Sequence, residues 1–329
     1  MIKLIVLLTL LLISNSISAS SQCSSIQVLT TRYPYEYNTP TQKVVELQTY
    51  TRHLETEKHY PFPLSREQSR QYLIELLDTT PIEKIDPAIL VYAIGMCDFE
   101  NINLYLNHGL SLKCYTQEGH ANMLGFLTHC RVQSEAKRNQ VLERLLQAGA
   151  NPNEGKKDLE RDAAGSYPIA EANEACDASM LDILLKYGAN PNLKTKGEEY
   201  FPILNICSGR NYSGLGLPPD LEYPPTPTMP LDHILQSLLD HGADPNTIYI
   251  TDDQRNYATQ DRGKILKIAC SGKDEKAKSV YDLYAKEFEE AKTAGDPVQM
   301  ANFQRLFDVL VKHEARPLVD LCQSLKGKY

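Results

Sequence analysis

The chain has 329 residues, of which 34 are basic and 42 acidic, giving a net charge of −8 with 42% of residues hydrophobic and 23% charged. This is the composition of a globular protein in water, long enough to bury a sizeable core. No run of Lys or Arg exceeds two residues, which removes the attraction to phosphate on which nucleic-acid binding depends, so no nucleic-acid partner is expected.

At the start, Lys3 leads into the apolar stretch Leu4 to Ile13 and then into small polar residues from Ser14 to Ser21. Residues 1–21 read as a secretory signal peptide cleaved near Ala19, because about ten apolar residues fall short of the roughly twenty that span a bilayer. A membrane anchor and a lipidated Cys23 are the other readings, the second disfavoured by Gln22 in front of the cysteine. The mature chain is expected to be exported to an oxidising compartment without membrane insertion. Residues 22–63 read as an irregular arm, in which Tyr33, Tyr35 and Tyr37 alternate around Pro34. An extended segment puts these rings on one side, where they either staple the arm to the rest of the molecule or offer a strand to a partner. Ser65 to Asp78 then reads as a capping helix, with Tyr72, Leu73, Leu76 and Leu77 on one face and Ser65 ahead of Gln68 as a capping box.

From there the sequence repeats itself. VLERLLQAGANPN from Val141, MLDILLKYGANPN from Met180, ILQSLLDHGADPN from Ile234 and LFDVLVKHEARP from Leu306 align without gaps through their first ten residues, and NINLYLNHGLSL from Asn101 keeps the pattern. Apolar residues at i, i+1, i+4 and i+5 form a stripe that one face of a helix can bury. Gly149, Gly188 and Gly242 fall where a helix ends on a left-handed residue, a conformation that costs other residues about 1–2 kcal/mol. Pro152, Pro191 and Pro245 prevent the helix from resuming, and the flanking Asn or Asp side chains can bond the turn backbone. A shorter apolar helix recurs upstream of each: Ile89 to Met96, Met123 to His129, Pro168 to Ala175, Pro202 to Ile206, Ile265 to Ala269 and Pro317 to Leu321.

Short helix, turn, longer helix, Gly-Ala-Asx-Pro-Asn and extended finger together resemble the ankyrin repeat, over residues 64–329. The family's TPLH opening survives only as Tyr167-Pro168-Ile169, Phe201-Pro202-Ile203 and Arg316-Pro317-Leu318. The resemblance implies an all-α solenoid of about five repeats plus a C-terminal cap. The closing residues Gly109, Gly149, Gly188, Gly242 and Glu314 are 40, 39, 54 and 72 residues apart, against about 33 for a plain ankyrin repeat. The excess is expected as finger insertions at Glu154 to Ala164 and Thr247 to Arg262, and as inter-helix insertions at Arg131 to Gln140, Ser208 to Pro230 and Ser271 to Asp296. Leu217 to Pro230 holds six prolines in fourteen residues, which favours an extended excursion. Val280, Leu283, Tyr284 and Phe288 are spaced as an extra helix, and Asp296-Pro297 caps the next one.

Catalytic signatures are missing: the sequence holds no GxSxG, HExxH, P-loop or CxxC. Cys114, His120, His129 and Cys130 are close in sequence but lack the spacing that sets two metal ligands on one turn, so no metal and no cofactor is expected. Glu198-Glu199 and Asp252-Asp253 read as solvated finger acids, and Asn211-Tyr212-Ser213 fits a glycosylation acceptor. Along the repeats Cys97, Cys130 and Cys176 fall at one position and Cys207, Cys270 and Cys322 at another. Equivalent positions in neighbouring repeats are about 8–10 Å apart, beyond the roughly 7 Å that a disulfide tolerates between Cα atoms. Cys176 with Cys207, at the boundary of the two groups, is therefore the expected bridge. Cys23 with Cys114 is expected to tether the arm to the first finger, and the other four are expected as thiols.

Ankyrin proteins have no intrinsic chemistry, and the resemblance implies a non-enzymatic protein-binding surface made of fingers and short helices. Exported ankyrin proteins of Gram-negative bacteria include immunity proteins that neutralise toxins, which implies an exported monomer, periplasmic in a Gram-negative cell and otherwise secreted, that binds one specific protein partner. A secreted effector acting on a host protein, and an enzyme housed in the insertions, are the competing readings. Without Trp, interface anchors fall to tyrosines: Tyr115, Tyr200, Tyr249 and Tyr257 on the fingers, with Lys156, Lys157, Arg161, Asp252, Asp253 and Arg255 steering the encounter. Tyr212, Tyr223 and Tyr281 mark the alternative edge.

Overall fold

The computed structural model describes residues 27–30, 66–82, 90, 93–94, 97–113, 115–118, 123–130, 134–155, 167–193, 202–204, 206–207, 231–250, 262–272 and 274–324. These residues are mostly helical, with ten α-helices. In chain order the helices are α1 (Arg66–Thr79), α2 (Phe99–Asn107), α3 (Glu135–Gln147), α4 (Pro168–Glu174), α5 (Ala178–Lys186), α6 (Leu231–Asp240), α7 (Arg262–Cys270), α8 (Val280–Ala294), α9 (Pro297–Lys312) and α10 (Leu318–Gln323). Two 3-10 turns, Gly125–His129 and Pro202–Leu204, stand where short helices are expected. Strands β1 (Gln27–Thr30) and β2 (Tyr115–Glu118) pair in parallel, and β3 (Ile248–Tyr249) pairs antiparallel with β4 (Lys278–Ser279).

The longer helices pack side by side in the order α1, α2, α3, α5, α6, α9, while the Gly125–His129 turn, α4, the Pro202–Leu204 turn and α8 form a second sequence of neighbours. Four of the long helices start on a polar cap, since Asp98, Ser134, Asp177 and Asp296 accept backbone N–H bonds from the first turns of α2, α3, α5 and α9. The apolar pairs Leu145-Leu146, Leu184-Leu185 and Leu238-Leu239 are buried in the shared core. Five of these helices close alike: Gly109, Gly149, Gly188, Gly242 and Glu314 all have positive φ. In each, the following N–H reaches back to a carbonyl five residues upstream, as in Ala150 to Leu145 and Ala315 to Leu310. Glu314 adopts φ 61° without the freedom of glycine.

Three sequence expectations are corrected. Helix α3 begins at Glu135, so the insertion expected over Arg131 to Gln140 supplies helix for about half its length. The short helix expected at Ile265 to Ala269 exists as α7, yet it does not pair with α9; α8 does. Helix α8 has the larger apolar face: Tyr281 and Phe288 meet Phe307 edge-on at 5.3 and 5.9 Å, and the Tyr284 hydroxyl donates to Ile203 O. Helix α7 buries only Ile265 and Ala269, in a separate small core with Ile248, Ile250 and Leu321. The β3–β4 pair encloses α7 between its two strands, so α7 belongs to a finger and not to the paired helices.

The third correction concerns cysteines expected as thiols. Cys97 is bonded to Cys130 and Cys270 to Cys322, with Cα atoms 5.3 and 5.4 Å apart; Cys176 is bonded to Cys207 at 4.7 Å. The spacing of about 8–10 Å separates helix axes, whereas these cysteines sit where backbones converge. Cys97 occupies a left-handed turn at φ 53° and Cys130 caps a 3-10 turn at φ −80°. The Cys207 N–H donates to Asn173 O of the neighbouring segment. Cys270 ends α7 and Cys322 lies in α10, which packs on it. Cys23 and Cys114 lie outside the described residues.

Candidate partner-binding surface

The fingers leave from the turns that follow the long helices, and asparagines lock those turns together. Asn151, Asn190 and Asp244 accept bonds from the N–H groups of Asn153, Asn192 and Asn246, closing each turn locally. The second asparagine then reaches across. Asn153 donates to Gly188 O at 2.9 Å and accepts from Asn190 N at 2.6 Å. Asn192 does the same to Gly242 O and Asp244 N, and Asn246 to Glu314 O and Arg316 N. In the first turn Lys113 stands at this position, and Leu112 N bonds directly to Ala148 O. The sequence reading assigned these asparagines to their own turns. Their place as the last residue of all three Gly-Ala-Asx-Pro-Asn blocks is the signal it missed, because the local turn is already satisfied by the Asx three residues into each block.

This edge fixes the ends of the fingers. One leaves at Gly155, where an added Cβ would lie 2.7 Å from the Tyr167 ring, and returns at Tyr167; others run from Leu193 to Pro202 and from Ile250 to Arg262. Lys156, Lys157, Arg161, Tyr200, Asp252, Asp253, Arg255 and Tyr257 fall inside these intervals and outside the described residues; Tyr212 and Tyr223, between Cys207 and Leu231, also lie outside the described residues. Tyr115 opens β2 opposite Gln27 of β1, so the arm meets the chain beside the first finger. The tyrosine-rich segment 33–37 lies outside the described residues. Tyr249 is half-buried in β3 opposite Lys278, a strand position and not a free tip. Tyr281 packs on Phe307.

Across the long helices runs a polar lattice. Asp78 bonds His108, Arg144 bonds Asn103 and Asn107, Glu143 bonds Lys186, and Asp182 bonds His233 and Ser237. The His108 imidazole donates to Leu104 O at 2.7 Å and faces Asp78 at 3.1 Å. The carbonyl bond and then the carboxylate hold its pKa above the ordinary histidine value. Deeper, the Arg138 guanidinium pairs with Asp177 at 2.5 Å, their side chains 9% and 10% exposed. The sequence reading missed this pair.

Between the first turns of α2 and α3 a cleft of about 170 Å³ is lined by Asp98, Glu100, Asn103, Lys137 and neighbouring apolar atoms. Its acids are engaged, Asp98 as the cap of α2 and Glu100 with Arg70. Of the metal-ligand candidates, Cys130 is bonded to Cys97; Cys114, His120 and the His129 side chain lie outside the described residues. No cluster of three His, Cys, Asp or Glu suited to a metal is found among the described residues, and no helix there is long and apolar enough to cross a membrane. Compared with protein-family models and with curated proteins, the chain finds no match, so its likeness to the ankyrin family rests on the motifs quoted above.

Proposed function

We propose that the chain is an exported, non-enzymatic ankyrin-repeat protein that binds one protein partner through its fingers and short helices, the partner being a toxin that it blocks. The observation that carries the reading is the threefold recurrence of the Asn153, Asn192 and Asn246 cross-bonds. A solenoid whose units touch only their neighbours needs such a stitch at each step, and the stitched edge is where the loops leave the helices. Loops on a rigid scaffold are where recognition residues concentrate. The first 21 residues and the disulfides suit an oxidising compartment outside the cytoplasm.

The test uses the full chain, expressed with its leader and recovered oxidised, mixed with the products of the reading frames beside its own. Stoichiometric binding and inhibition of a toxic activity support the proposal. Turnover of lipid or peptidoglycan by the chain alone refutes it in favour of an enzyme. Loss of binding when Tyr115, Tyr200 and Tyr257 are replaced by Ala, with the helical spectrum unchanged, assigns the interface to the fingers.

A further inference from the structure

Helices α3, α5 and α6 each carry two apolar positions, seven and three residues before the left-handed closing residue. Leu142 and Leu146 of α3, Leu181 and Leu185 of α5, and Leu235 and Leu239 of α6 are all buried. In α9 these places are held by Phe307 and Val311, ahead of Glu314. Phe307 is half-buried and Val311 is 62% exposed, against 6%, 4% and 6% for Leu146, Leu185 and Leu239. The exposed large hydrophobic side chains among the described residues are Val298, Val311 and Val319, all on α9 and α10. A row of helices that ends in water needs a polar terminal face; this one leaves Val311 open, beside a Phe307 that Tyr281 and Phe288 of α8 cover on one side.

The polar positions indicate what fits there. Six residues before its closing turn, each earlier helix presents an acceptor that a donor on the following helix answers. Asn103 is bonded by Arg144, Glu143 by Lys186 at 2.8 Å, Asp182 by His233 at 2.9 Å and Gln236 by Lys312 at 3.2 Å. The corresponding residue of α9 is Asp308, which is exposed and bonded by Gln304 of its own helix at 3.0 Å. The face of α9 thus sets Val311 and the open part of Phe307 beside Asp308, the acceptor position that α3, α5 and α6 each present to the following helix.

We propose that this face of α9, built on Phe307, Val311 and Asp308, docks an amphipathic helix of a partner protein. That helix carries an aliphatic stripe against the two apolar side chains and a Lys or Arg placed to reach Asp308. The site is separate from the fingers and does not depend on which molecule they bind.

The probe is a fluorescein-labelled, hydrocarbon-stapled peptide copying residues 177–188, whose Lys186 answers Glu143 within the chain. Titrated by fluorescence anisotropy into the oxidised full chain, it is expected to bind saturably. Val311→Asp or Asp308→Lys should weaken binding about tenfold or more, and a peptide carrying Lys186→Glu should regain affinity for Asp308→Lys. An unchanged melting temperature for Val311→Asp separates lost docking from lost fold. Equal binding by the parent chain and Val311→Asp overturns the proposal, as does no binding by the parent at about 1 mM peptide. Sedimentation showing that the parent self-associates and Val311→Asp does not assigns the face to a second copy instead. Protection of Val311 from carbene footprinting in the peptide-free monomer assigns it to another segment of this chain.

Discussion

Arg138 and Asp177 join α3 to the start of α5, and their replacement gives a sharp test of how adjacent helices are held. Asp177 does two jobs with two oxygens: Oδ1 accepts from Met180 N and Ser179 Oγ, both at 3.1 Å, while Oδ2 meets the guanidinium at 2.5 Å. Asp177→Asn keeps the capping oxygen but turns an amide toward Arg138, leaving a cation about nine-tenths buried without its counter-ion. Breaking such a pair from one side costs about 3–5 kcal/mol. Arg138→Met leaves the carboxylate behind, but the capping bonds still satisfy half of it, so its cost falls at about 2–4 kcal/mol. Arg138→Met with Asp177→Asn removes both charges, keeps the cap and fills the space with apolar volume. It should cost less than either single change, about 0–2 kcal/mol. Urea unfolding of the oxidised chain at pH 7, followed by circular dichroism, measures all three. If the double variant loses as much as the two singles together, the pair is not a coupled buried unit and the argument fails.

Asn192→Ala removes the bonds to Gly242 O and Asp244 N and should cost about 1–3 kcal/mol; a loss indistinguishable from zero in the same assay would make the stitch ornamental. Replacing Cys97 and Cys130 together by Ser opens a loop of 33 residues and should lower stability by about 3–4 kcal/mol on the chain-entropy estimate, with denaturation midpoints as the readout. The pKa of His108 is raised by Leu104 O and Asp78, so its contribution is fully present below the unfolded value near 6.5 and fades as pH rises through the folded value. The stability gap between the parent and His108→Gln should therefore be wider at about pH 5 than at about pH 8, and the reverse order would contradict the assignment.

The turns at Gly149, Gly188 and Gly242 are legible in the sequence because their chemistry is local: a left-handed residue, a proline and an Asx act within a few positions of one another. The capping helix and the Asp296-Pro297 start of α9 are readable for the same reason. Which of two apolar stretches pairs with α9 is decided elsewhere in the molecule. Ile265 with Ala269 and Val280 with Tyr284 both satisfy a helical spacing, and only the presence of Phe307 and Ile203 selects the second. The disulfides escape for a geometric reason, since a ladder of equivalent positions treats the units as rigid copies while the turns at Cys97, Cys176 and Cys207 draw closer than the helix axes. Of the ten finger residues expected as partner contacts, Tyr115 and Tyr249 stand in strands and the other eight lie outside the described residues.

The three described disulfides close loops in series, Cys97 to Cys130, Cys176 to Cys207 and Cys270 to Cys322, with no loop interleaved with another. Through these three bridges the described residues form a string of separate rings. A protease that cuts inside a ring leaves both pieces attached, whereas a cut between Gly155 and Tyr167 falls on open string and severs the backbone. The two halves would then be held by the Arg138–Asp177 pair, the Lys186–Glu143 and Gln147–Tyr187 bonds, Asn153 and the apolar contact of α3 with α5. A single nick there turns one chain into a two-part complex whose assembly depends on concentration, the first part keeping one of these rings and the second keeping two.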